Sequence, residues 1–131
     1  MRNLFIFFVF LSATPFGWPQ DPAVAGAQEA ACAAANTQAE INQCVSASYQ
    51  KVDKQLNDLY ASVMKKLTPA AQAKLGTVQR LWIRYRNENC DAAAAAYEGG
   101  SIQASVKLGC LDRNTRARIN ELQHVYSSQG Q

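Results

Sequence analysis

From Ile41 to Leu67 an apolar residue returns every fourth or third position without a break: Ile41, Val45, Tyr49, Val52, Leu56, Leu59, Val63, Leu67. Such a run lays a narrow seam along one side of a helix, and the seam must be covered by antiparallel neighbours. Lys51, Lys54, Asp58 and Lys65 fall off the seam and read as a solvated face. Thr37 and Glu40 stand three apart just ahead of the run and predict a capping box that starts the helix.

The pattern stops at Thr68-Pro69, with Thr68 placed as N-cap and Pro69 at the first helical position, where a missing N–H costs nothing. So short a link makes the two helices an αα-hairpin. The second helix carries LGTVQRLWIRYRNENC, in which Leu75, Val78, Trp82 and Tyr85 form a stripe read as core, with Arg80, Arg84 and Arg86 beside it. An alanine run continues this helix to Tyr97, because alanine is the strongest helix former and neither Gly nor Pro interrupts the run. Gly99-Gly100 then stops it, and Ser101 is placed to cap a third helix along Leu108, Leu111, Thr115, Ile119, Leu122 and Tyr126. No segment alternates with period two, so the expected fold is all-α: an antiparallel three-helix bundle, an αα-hairpin plus a third helix.

The apolar run Leu4 to Leu11 behind Arg2 is too short to cross a bilayer and resembles a signal peptide, with Ala25-Gly26-Ala27 as a small-x-small cleavage site. The expected organisation is a signal peptide over residues 1–27 and one helical domain over 28–131. No membrane span would remain after cleavage. Glu29-Ala30-Ala31 ahead of Cys32 does not make a lipidation signal. All four cysteines, Cys32, Cys44, Cys90 and Cys110, follow the cleavage site. An even count behind an export signal predicts two disulfides in an oxidising compartment, periplasmic or extracellular. They staple a domain small enough to need them. Without a C-x-x-C pair, and with His124 the only histidine, the spacing gives no metal site.

Residues equidistant from a turn lie at equal height on antiparallel helices. Counting from Leu67/Thr68 sets Cys44 opposite Asp91 and Asp53 opposite Trp82; counting from Gly99/Gly100 sets Cys110 opposite Asn89 and Arg118 opposite Leu81. Cys44, Cys90 and Cys110 then share a layer, to which Cys32 folds back. The count does not choose a connectivity. Pairing Cys32 with Cys90 and Cys44 with Cys110 is favoured because it ties down the arm and joins the first helix to the third.

A second layer holds Asp53 between Arg86 and Arg118, with Asn57 facing Gln79 as a hydrogen-bonded pair. Flanking cations keep Asp53 a carboxylate, which suits a structural ion pair better than an acid catalyst. With the cysteines bridged and His124 near an end, no nucleophilic triad assembles, and no phosphate loop or dinucleotide fingerprint is present. An enzyme is not expected, nor any cofactor. The formal net charge of +3 is mild and interspersed, so nucleic acid is not implied as a partner.

The segment TQAEINQC (Thr37 to Cys44), then Tyr49, Asp53, Leu56, Asn57 and Tyr60, the element VQRLWIRYRNENC (Val78 to Cys90), Tyr97 to Ser101, Cys110, and Thr115, Arg118 and Leu122 together resemble the LprI-type family of small exported bacterial proteins. The resemblance implies a helical fold, export, and a protein partner such as the lysozyme for which the family is named. The alternative is an envelope-accessory interaction module with another partner. Animal-type lysozymes are strongly basic, so a chain of net charge +3 brings no long-range attraction to them. The candidate partner-binding segment is the turn Tyr97, Glu98, Gly99, Gly100 and Ser101: a protruding loop on a stiff base, with Tyr97 as aromatic anchor and backbone amides offered to an acidic group.

Overall fold

The computed structural model describes residues 32–126. It contains three helices, α1 (Gln38–Lys66), α2 (Pro69–Ala95) and α3 (Gln103–Tyr126), and no strand among the described residues. The proposed signal peptide over residues 1–27 lies outside them.

The starts of the first two helices follow the local chemistry of the sequence. Thr37 accepts from the Glu40 amide while the Glu40 carboxylate accepts from the Thr37 amide, closing the capping box. Thr68 accepts from the Ala71 amide with Pro69 in the first turn. The link between them is reinforced by Gln72, whose side-chain amide donates to the carbonyls of Met64 at 2.9 Å and Leu67 at 3.2 Å. The Leu67 carbonyl gains a partner in this way, and the Met64 carbonyl, which already accepts from the Leu67 amide, gains a second. The third start differs from expectation: α3 begins at Gln103, with the Ile102 carbonyl accepting from the Val106 amide, and Ser101 lies in the turn rather than at the cap.

Along α1 the seam is as read, with Val45, Val52, Leu56 and Val63 buried and the remaining seam residues partly buried. On α3, Leu111, Thr115 and Leu122 are buried. On α2 the inward face is turned from the expected stripe. Leu75 is buried and Trp82 partly buried, but Val78 and Tyr85 are exposed, and the buried line runs Leu75, Gln79, Arg86, Cys90, Ala94. Hydropathy misjudged this helix because Gln79 and Arg86 find partners inside, and a paired polar group can be buried.

Helix α3 approaches both α1 and α2 closely, whereas α1 and α2 are joined chiefly by the large side chains between them. Two apolar clusters result. Leu56, Val63, Leu75 and Leu122 fill the end near the α1–α2 link, with Tyr60 and Trp82 against them. Cys90, Cys110 and Leu111 fill the other end, with Tyr49 alongside. Between the clusters lies a polar layer.

Both disulfides differ from the favoured pairing. Cys32 is bonded to Cys44 and Cys90 to Cys110, with Cα–Cα distances of 5.8 and 5.5 Å, and no free cysteine remains among the described residues. A height count places cysteines in a layer but carries no angle around the helix, and a bridge requires Cα atoms within about 7 Å. The arm folds back onto the beginning of α1, where Cys44 already waits.

Candidate functional site

The polar layer is built around Arg86 of α2. Its Nη1 donates to Asp53 Oδ1 and to Thr115 Oγ1, each at 3.0 Å, so one guanidinium ties all three helices together. The same group lies 4.9 Å from the Trp82 ring centroid and 5.7 Å from that of Tyr49. Burial pushes the Tyr49 hydroxyl's pKa up, against the opposing pull of the Arg86 charge.

Arg118 does not reach Asp53. Its Nε donates to Gln79 Oε1 at 3.0 Å and its Nη1 to Glu121 at 2.7 Å, with the guanidinium 5.8 Å from the Trp82 centroid. Trp82 therefore takes the second cation by its π-face where the count supplied a carboxylate. Arg118 Nη2 is buried without a hydrogen-bond partner. The expected Asn57–Gln79 pair is likewise absent: Asn57 donates to Asp53 Oδ2 at 3.4 Å along α1, and Gln79 serves Arg118. Arg86 and Arg118 both keep a carboxylate, so the layer is a frame of satisfied charges.

Sequence reading missed a further polar cluster. Asp112 is 0 % exposed and accepts from Ser48 Oγ at 2.7 Å and Arg116 Nε at 2.6 Å, fastening α3 to α1. Its signal was the acid–arginine spacing of four from Asp112 to Arg116.

At the disulfide end, Ala96 closes α2 and the chain turns through Tyr97 to Ile102. Gly99 has φ +75°, a conformation that costs other residues about 1–2 kcal/mol. The turn is braced from α1: Asn42 Nδ2 donates to the Ser101 carbonyl at 3.2 Å, and Gln38 Nε2 to Ser105 Oγ at 3.1 Å. The Cys90–Cys110 bridge and the Lys107–Asp91 ion pair fix the helices behind it. The amides of Tyr97, Glu98, Gly99 and Gly100 are all bonded inside the turn, to Ala94 O, Ala95 O, Gln103 Oε1 and Tyr97 O respectively. Those four are therefore committed within the chain, contrary to the expectation of an amide cradle. What the turn presents outward is the Tyr97 ring, the Glu98 carboxylate and Ile102, all exposed.

Among the described residues no cluster of His, Cys, Asp or Glu is arranged to hold a metal ion, and no helix is long and apolar enough to cross a membrane. A family model described as lysozyme inhibitor LprI matches residues 29–122, which takes in all three helices almost to their end and both disulfides. The chain belongs to the LprI family. A relative of this LprI-family chain, an uncharacterized protein of Rhizobium meliloti (strain 1021), is 31% identical over 121 residues, covering 82% of this chain and 86% of its own. No solved structure matches. The two disulfides accord with an oxidising compartment for this LprI-family chain.

Proposed function

We propose that the protein is exported to the bacterial envelope or beyond, as a binding protein that inhibits a lysozyme by presenting its Tyr97–Ser101 turn. The observation that carries this reading is the match of the lysozyme inhibitor LprI model across residues 29–122. The turn is the segment suited to the task, because it is exposed and braced by Asn42 and by the Cys90–Cys110 bridge. A loop held in one conformation loses little entropy on binding. Tyr97 supplies a rigid aromatic anchor of the kind that dominates interfaces. Glu98 supplies a local negative charge toward a basic enzyme, although the chain as a whole carries +3.

That net charge favours a second reading, a periplasmic interaction module whose partner is another envelope protein. Lysozyme-catalysed lysis of bacterial cell walls, titrated with the oxidised protein, separates the two. Dose-dependent inhibition is expected, and its absence removes the lysozyme reading. With Tyr97→Ala combined with Glu98→Lys, inhibition should weaken at least tenfold while the helical circular dichroism is retained. Undiminished inhibition by that variant would move the site elsewhere on the bundle.

A further inference from the structure

The residues that the inward face of α2 leaves outside form a second seam. Lys74, Val78, Leu81, Tyr85 and Glu88 follow one another in steps of four and three, all exposed. Val78 is 49%, Leu81 60% and Tyr85 62% exposed, so the three apolar side chains at its middle stand largely uncovered. Seams of this spacing are what helices use to pack along one another. From Lys74 to Glu88 the seam extends about 21 Å at the helical rise of 1.5 Å per residue. It borders a groove of about 300 Å³ between α2 and α3, walled by Leu75, Val78, Leu122 and Val125, with Arg118 also against it. Val125, at 47% exposure, extends the apolar lip onto α3.

The charges at the two ends of the seam identify what covers it. Lys74 lies seven residues before Leu81 and Glu88 seven after, so the face carries opposite charges at equal distances from its centre. A two-fold axis through Leu81 that sets a second α2 antiparallel on the first brings each Lys74 to the other copy's Glu88. The same operation stacks Leu81 on Leu81 and brings each Tyr85 beside the other copy's Val78, at the mouth of the groove. A parallel arrangement would set Lys74 against Lys74 and Glu88 against Glu88, and is repelled. Glu88 already pairs with Arg84 at 3.3 Å within its own helix, an exposed contact that leaves the carboxylate free to accept a second cation. Lys74 has no acidic partner within its own chain among the described residues.

We infer that two copies of this chain associate through this seam, α2 antiparallel to α2, with Leu81 at the two-fold axis and reciprocal Lys74–Glu88 pairs closing its ends. An interface of a single helix face lies at the small end of specific contacts, so the dimer is a weak one in the micromolar range. It leaves the Tyr97–Ser101 turns free, one on each copy.

Sedimentation velocity on the oxidised chain, from micromolar to millimolar concentration, should show a monomer–dimer equilibrium. Leu81→Lys should abolish the dimer. Lys74→Glu and Glu88→Lys should each weaken it about tenfold by turning two attractions into two repulsions, and the double exchange should return it to within a few-fold of the parent. All these positions are exposed, so circular dichroism should be unchanged throughout. A chain that stays monomeric, or a dimer indifferent to Leu81→Lys, overturns the proposal. Failure of the double exchange to rescue overturns the antiparallel register. Flotation of a monomer with anionic phospholipid vesicles, lost in Leu81→Lys, would assign the face to a membrane surface instead.

Discussion

Arg86 of α2 and Asp53 of α1 are joined at 3.0 Å, with the guanidinium buried and the carboxylate partly so. The pair connects two helices that otherwise meet mainly through long side chains. Asp53→Ala should lower stability by about 1–3 kcal/mol, because Arg86 keeps Thr115 and Trp82 but loses its neutralising partner in a site with little water. Urea unfolding measures this. An unchanged midpoint together with loss of partner binding would place Asp53 in a site and not in the frame.

Asp112 offers the sharper test of a buried charge. Truncation to Ala leaves Arg116 and Ser48 without their acceptor, and the expected loss is about 2–4 kcal/mol, tempered because Arg116 can turn toward solvent. Ser48→Ala should cost less, about 1–2 kcal/mol. Additive losses in the double variant would show that the three groups do not act as a unit.

The two disulfides should differ in value. Removing Cys90–Cys110, which closes a separation of 20 residues between α2 and α3, is expected to cost about 3 kcal/mol in the unfolding midpoint. Cys32–Cys44 closes a separation of only 12 residues, so its removal should cost less. Peptide mapping without reduction should recover Cys32 with Cys44 and Cys90 with Cys110, and any crossed pair counts against the fold as described.

Glycines on either side of the turn chemistry give opposite expectations. A Cβ at buried Gly76 would meet Arg80 Nη1 at 3.5 Å and Tyr60 Oη at 3.6 Å, ordinary contact distances. Gly76→Ala should therefore raise stability by about 0.5–1 kcal/mol, by restoring helix propensity. Gly99→Ala, at φ +75°, should lower it by about 1–2 kcal/mol. Thermal melts of the two variants moving in the same direction would contradict the assigned backbone.

The capping box predicts an acid limb. Hydrogen bonds from the Asn36 and Thr37 amides hold the Glu40 carboxyl below the usual glutamate range. The folded pKa is lowered, so the contribution of Glu40 is complete above the unfolded value of about 4.3 and is lost as pH falls through the folded value. Glu40→Gln should melt lower than the parent at neutral pH and converge with it in acid. A constant gap at every pH would sink the assignment.

What was legible in the sequence was the part decided within a few residues. Thr37 with Glu40, Thr68 with Pro69 and the unbroken seam of α1 depend on local geometry, and the structure uses them as read, whereas α2 closes at Ala96, ahead of the Tyr97 and Gly99 at which its end was expected. The candidate turn Tyr97 to Ser101 is legible for the same reason, but not the internal use of its amides, three of which bond to nearby backbone carbonyls and one, that of Gly99, to Gln103 across the turn. Asp53 and Arg86 were brought together by height alone. Height could not say which way a side chain points around its helix, so Arg118 was given to Asp53 when Gln79 and Glu121 were nearer. The same gap misassigned Cys44, and it turned the face of α2, because apolar character was the only available guide to what lies inside. Val78 and Tyr85 are apolar and outside; Arg86 is charged and inside.

Each disulfide joins a cysteine to its nearest neighbour in chain order, first to second and third to fourth. A chain that meets an oxidant amino terminus first can therefore make each native bond as soon as the second thiol of the pair emerges. Reshuffling is unnecessary, since no earlier thiol is left waiting for a later one. The price is that no disulfide runs from the arm and α1 to the other two helices. In the unfolded chain the two bridges therefore close two separate loops, one within the arm and α1 and one across the α2–α3 turn, and the packing of α1 on α3 rests on non-covalent contacts such as Ser48 with Asp112.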